Sequence, residues 1–238
     1  MTKAEPPLID RLLVEGLVDW LDPGWISGEA HDSGIVSDGD FRTMTVGAAA
    51  ELLLGGLAVA GDVTEQGFEA WPTGPEQSLA RITDWIVANP MEEWRPGEGF
   101  WLNSTVAGET RGKQAPDFWG SDDDGKRTAA ERTGRDLVTS LLASGRGGRG
   151  VDPAVLDNAA RAFGVDHPED RKCFEIGAIA RLLFEGLAVA GSVTEGHEFW
   201  PWSTSPEESV RRIFDERRSG GGTAYWLQLT DKGESLVA

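Results

Sequence analysis

The sequence predicts a helix-rich α+β protein built as two tandem copies of one unit, and three observations lead there. "GLAVAGDVTE" from Gly56 returns as "GLAVAGSVTE" from Gly186, and Gly47–Glu65 matches Gly177–Glu195 at 14 of 19 positions. The match continues outward: Asp22-Pro23 meets Asp152-Pro153 at the same offset of 130. One residue later in phase, Trp71, Pro75, Ser78, Arg81 and Ile82 meet Trp202, Pro206, Ser209, Arg212 and Ile213. Finally, helical spacing of apolar residues dominates each copy, interrupted by short alternating runs that read as strands. Self-similarity at one spacing means two equivalent structural units. Their predicted bounds are 1–111 and 136–238, with a linker over 112–135.

Each copy opens on a helix. In "PPLIDRLLVEGLVDWL", Leu8, Leu12, Leu13, Leu17 and Leu21 recur at helical spacing, and the prolines suit a helix start. In "VGAAAELLLGGLAVAG", Ala49, Leu52, Leu53 and Leu57 fall near one helical face, and Gly55-Gly56 ends the helix. "LAVAGDVT" then alternates as a strand with Leu57, Val59 and Val63 as its expected core contacts. "SPEESVRRIF" follows in the second copy, with Ser205 as N-cap, Pro206 at the first helical position and Glu208 completing a capping box. The first copy places Gly74 and Gln77 at the corresponding positions. Val210, Ile213 and Phe214 form one apolar stripe, as do Leu79, Ile82 and Ile86. "WLNST" and "YWLQLT" read as strands, after which Thr105 and Thr230 cap a last short helix. Trp71/Trp202 and Trp101/Trp226 repeat in register and are expected in the core of each unit. The polar, glycine-rich linker is predicted helical only around Lys126–Arg132.

Within this sequence, "LLFEGLAVAG" followed by "WLQLTDKGESLV" resembles the winged-helix domains of MarR- and PadR-type regulators. There a helix runs into a "GLV" strand and the wing returns through L-T-x-x-G. The resemblance implies a tandem winged-helix-like architecture with an extra helix, "SPEES", inserted in the wing. The long dimerisation helix of the MarR proteins has no counterpart. In that family the helix before the "GLV" strand enters the major groove, where base reading needs Arg, Lys, Asn, Gln, Ser or Thr. Here that helix reads Gly47-Ala48-Ala49-Ala50-Glu51, and its counterpart Gly177-Ala178-Ile179-Ala180-Arg181 offers one arginine. Neither can neutralise the roughly 6–10 phosphates of a typical complex. The expectation is a winged-helix shape without nucleic-acid chemistry. The alternative is a transcription regulator that binds DNA weakly through the second copy, with Arg146, Arg149, Arg161, Arg171 and Lys172.

Charge points the same way. The 238 residues hold 22 Lys+Arg against 40 Asp+Glu, a net of −18, and residues 1–119 alone carry −13. Such a chain repels phosphates and attracts basic proteins. Apolar content of 39% with 26% charged is that of a folded soluble chain. No apolar run approaches the ~18 residues of a membrane span, and Cys173 stands alone. A cytoplasmic location without membrane contact is expected.

Catalytic constellations do not emerge. His31, His167 and His197 have no matched positions between copies and show no zinc spacing. "SGRGGRGVD" lacks the spacing of a phosphate loop. "GSDDDGKRTAAE" approaches a calcium loop, but Gly120 occupies the position of its first ligand. No enzyme activity, metal or cofactor is therefore expected. The linker instead sets Phe118 and Trp119 beside Asp122, Asp123 and Asp124, an aromatic anchor next to acidic charge that suits docking on a basic surface. The expected function is a non-enzymatic acidic protein-binding module. Its most specific form is an inhibitor or immunity-type protein capping a basic toxin, acting as a monomer that contains its own pseudo-dimer.

Overall fold

The computed structural model describes residues 6–32, 35, 37–91, 94, 97–115, 136–147, 150–165, 167–194, 198–219 and 225–237. These residues form a helix-rich α+β structure with two three-stranded antiparallel sheets. One element order occurs twice. The first half runs α1 (Leu8–Glu15), α2 (Pro23–Asp32), α3 (Asp38–Leu54), β1 (Ala58–Thr64), β2 (Gly67–Ala70), α4 (Pro75–Ala88), β3 (Trp101–Ser104) and α5 (Val106–Gln114). The second runs α6 (Leu137–Gly145), α7 (Pro153–Ala162), α8 (Pro168–Phe184), β4 (Ala188–Val193), β5 (Phe199–Pro201), α9 (Pro206–Arg218), β6 (Trp226–Leu229) and α10 (Asp231–Ser235).

The sheets are ordered β2-β1-β3 and β5-β4-β6. Ala58 pairs with Ser104 and Ala188 with Leu229. An isolated bridge extends each sheet: Leu21 to Leu102, and Val151 to Leu227. The repeated motifs have local causes. Gly56 and Gly186 take φ of 69° and 67°, a left-handed turn that glycine adopts without strain and that leads α3 and α8 into β1 and β4. Thr105 and Thr230 each donate their hydroxyl to the preceding glycine's carbonyl, Gly56 or Gly186, at 2.8 Å. Each hydroxyl also caps a helix, accepting from Gly108 N or Gly233 N at 3.2 Å. Trp71 and Trp202 lie beneath Arg81 and Arg212, with guanidinium carbons 3.7 and 3.9 Å from the ring centroids. The capping box at Ser205 and Glu208 is formed.

Three expectations are corrected. Val59 and Val63 do not face the core: Val59 is 41% exposed, while Ala58 and Ala60 are buried. The inner face of β1 lies against α3 and α4, and that close approach takes alanines, leaving the larger valines outside. The first helix also stops at Glu15, so Leu17 is exposed while Leu21 is buried in the strand bridge. Of the repeated tryptophans, Trp71 is buried, whereas Trp101, Trp202 and Trp226 are only partly so.

The two halves meet along α3 and α8, which cross at Gly47 and Gly177, equivalent positions 130 residues apart. A Cβ on Gly47 would lie 1.9 Å from the Cys173 carbonyl oxygen, and one on Gly177 would lie 2.0 Å from that of Thr43. Thr43 and Cys173 are themselves 130 apart, so the contact is two-fold symmetric, as in an isologous dimer. Each half also caps the other. The buried Asp170 carboxylate accepts from Leu8 N at 2.7 Å, and the buried Asp40 carboxylate accepts from Leu137 N at 2.9 Å. These are the first residues of α1 and α6, where a carboxylate also meets the positive end of the helix dipole.

Candidate functional site

The α3–α8 crossing removes the surfaces that a groove-reading helix would need. Gly47 through Ala50 and Leu52 through Leu54 are buried on α3, as are Cys173 through Leu183 on α8. Arg181, the one arginine on that stretch, is 8% exposed. It donates to Glu185 at 2.8 Å, to the Thr43 hydroxyl at 3.0 Å and to the Gly39 carbonyl at 3.2 Å. Other second-copy cations are engaged as well. Arg146 donates to the Val237 carbonyl, Arg161 and Arg171 pair with Asp157, and Lys172 pairs with Glu169. Arg149 lies outside the described residues.

The linker patch of Phe118, Trp119, Asp122, Asp123 and Asp124 lies outside the described residues too, as do His197, the stretch expected to be helical around Lys126–Arg132 and the calcium-like sequence from Gly120. His31 is exposed and stacks on Phe41 with centroids 5.8 Å apart, and His167 caps α8 by accepting from Glu169 N. Cys173 is fully buried, and burial holds its thiol protonated, with Glu51 and Asp170 adding to the effect. It is no nucleophile.

A concavity lined by charged side chains lies between α4 and α9, the helices that begin at Pro75 and Pro206. It encloses about 700 Å³. Glu76 contributes from α4, and Glu207, Glu208, Asp215 and Glu216 from α9, against Arg211 and Arg212. Arg211 spans the groove floor, donating through Nε to Glu76 at 2.6 Å and through Nη1 to the Leu54 carbonyl at 2.7 Å, the end of α3. Arg212 pairs with Glu216 at 3.1 Å while stacking on Trp202. Both cations are thus neutralised within the groove, leaving a surplus of carboxylates.

Two details define what this groove accepts. Burial raises the Glu76 pKa, but hydrogen bonds from its own backbone N–H and from Arg211 outweigh that and hold it below the ordinary value, so the group stays ionised. Glu216 Oε2 is buried and has no hydrogen-bond partner among the described residues. That oxygen has no contact with solvent, so an incoming donor reaches it only if the side chains around it shift. Lysine and arginine side chains are the donors whose charge also matches.

The sequence signals for this site were the "PEES" and "DERR" stretches of α9, legible as a capping box and an amphipathic stripe. That α4 lies opposite them is a long-range fact with no local signature. Compared with known proteins, the chain matches no family model, no curated protein and no solved structure, so the groove is read from its own chemistry.

Proposed function

We propose that this protein is a non-enzymatic binding module whose α4–α9 groove takes a basic segment of another protein. The observation that carries the reading is the groove itself, where five carboxylates face two internally neutralised arginines and one buried acceptor lacks a donor. Net charge of −18 adds long-range steering toward basic partners. The most specific form is an inhibitor or immunity-type protein that caps a basic toxin.

The scaffold reading is two winged-helix-like units fused into a monomeric pseudo-dimer. Its support is the β1–β3 and β4–β6 pairing flanked by the Leu21 and Val151 bridges, with β2–α4 and β5–α9 as the insertions. Burial of α3 and α8 against one another weighs against major-groove reading, because the residues that would meet base edges have no free surface. The inserted helices would then supply the binding face.

The test is titration with an arginine-rich helical peptide at rising salt. Binding is expected to weaken about tenfold or more when Glu207→Lys and Asp215→Lys are combined. Asp19→Lys with Glu65→Lys changes net charge equally but touches no groove residue, and is expected to alter affinity by less than about twofold. Equal losses from the two pairs would show only diffuse attraction and overturn the groove assignment. Phe118→Ala with Trp119→Ala, and alanine at Asp122–Asp124, measure the linker patch in the same assay.

A further inference from the structure

The seam between the halves opens into a second cavity, of about 230 Å³, whose charged lining comes from both copies: Glu51 and Arg111 from the first, Glu169, Lys172, Arg217 and Arg218 from the second. Most of this charge is already matched. Arg111 pairs with Asp10 at 2.7 Å, Lys172 with Glu169 at 2.9 Å, and Arg217 with the buried Glu175. Glu51 and Arg218 remain. Neither side chain has a hydrogen bond or ion pair among the described residues, and no ion pair joins them to each other. Arg218 is placed by the Phe214 ring, 5.7 Å from its centroid, and by the close backbone of Gly55.

The counterpart of Glu51 at the 130-residue offset is Arg181, whose guanidinium is held by Glu185, Thr43 and the Gly39 carbonyl. At the equivalent place in the other half the charged side chain is thus held by internal bonds, whereas here an acid and a base stand apart. Leaving a partly buried carboxylate unpaired opposes folding. Burial pushes the Glu51 pKa above its ordinary 4.5, with Glu169 adding and Arg217, Arg218 and Arg111 opposing.

We propose that this seam pocket binds a free α-amino acid, its carboxylate on Arg218 and its ammonium on Glu51. The remaining pair sums to zero charge, which matches a zwitterion and disfavours a dianion, since Glu51 would repel it. Leu57 and Phe214 supply the apolar wall for a side chain. The volume lies below the roughly 300 Å³ at which drug-sized pockets begin, as a single amino acid requires.

Thermal melts of the whole protein with each of the twenty standard amino acids test this. At about a hundred times its Kd, a bound amino acid raises Tm by roughly 5–10 °C. The N-acetyl derivative and the methyl ester of the same amino acid, each lacking one charge, bind about tenfold or more weaker by calorimetry. Glu51→Gln and Arg218→Gln each weaken binding to the same degree, while Arg146→Gln leaves it unchanged. Misfolding does not confuse the result, because Glu51→Gln is expected to be at least as stable as the parent at pH 7. A carboxyl whose pKa is raised in the folded state contributes stability below its unfolded pKa and loses it as pH rises through the folded value. The advantage of Glu51→Gln therefore shrinks as pH falls toward 4.5. Failure of every amino acid to bind overturns the proposal. So does equal binding of the N-acetyl derivative, an equal shift from inorganic phosphate, or indifference to Arg218→Gln.

Discussion

Alanine at Gly47 or at Gly177 is expected to destabilise the protein by about 3 kcal/mol or more. A methyl group at either position would lie 1.9 or 2.0 Å from a backbone carbonyl oxygen on the opposite helix. That oxygen cannot swing aside, because the Cys173 and Thr43 carbonyls sit inside α8 and α3. The only relief is to move the helices apart, which loosens packing along the whole seam. Denaturant unfolding checks this through the midpoint, with both variants shifted by similar amounts because the contact is symmetric. Gly28 provides the contrast. It lies within α2, where an added methyl would meet nothing within 4 Å, and Gly28→Ala is expected to stabilise by about 0.4–1 kcal/mol. The same substitution thus has opposite signs, decided by what stands across from it.

The second large effect crosses between halves. Asp170→Ala is expected to cost about 2–3 kcal/mol, since it leaves the buried Leu8 N–H without its acceptor and removes a charge from the start of α1. Helix α1 has no side-chain cap of its own, its N-cap being Pro7, so nothing substitutes for the lost carboxylate. Hydrogen exchange makes the prediction specific. Asp170→Ala accelerates exchange in Leu8–Glu15, more than a hundred residues away in the chain, and Asp40→Ala does the same in Leu137–Gly145. α6 retains the cap from Asp136, so the Asp40 effect is expected to be the smaller. Exchange that rises only beside the substituted residue would refute the reciprocal capping.

Much of the fold was legible in the residues. The glycine turn after each central helix, the threonine caps and the tryptophan and arginine positions recur in register, and the capping box at Ser205 is written in the second copy, where the first has Gly74. Each involves groups at most about ten residues apart, so spacing alone exposes it. The strand phase was not legible. Leu57-Ala58-Val59-Ala60 alternates in size, and hydrophobicity alone favours burying the valine. The helices pressed on β1 reversed that choice by leaving room only for alanine.

By itself, then, the sequence determined that one unit is written twice, that each central helix ends at a glycine turn into a strand, where α4 and α9 begin, and that the central helices lack the donors for reading bases; α2, α7, β2 and β5 were not read from it. Those features rest on short-range backbone sterics, capping and composition. Only the tertiary structure decided that the central helices bury each other at paired glycines, that carboxylates cap across the seam, and that α4 and α9 close an acidic groove. These depend on the approach of segments between 97 and 162 residues apart, and packing at that range is set by the shapes of both partners together.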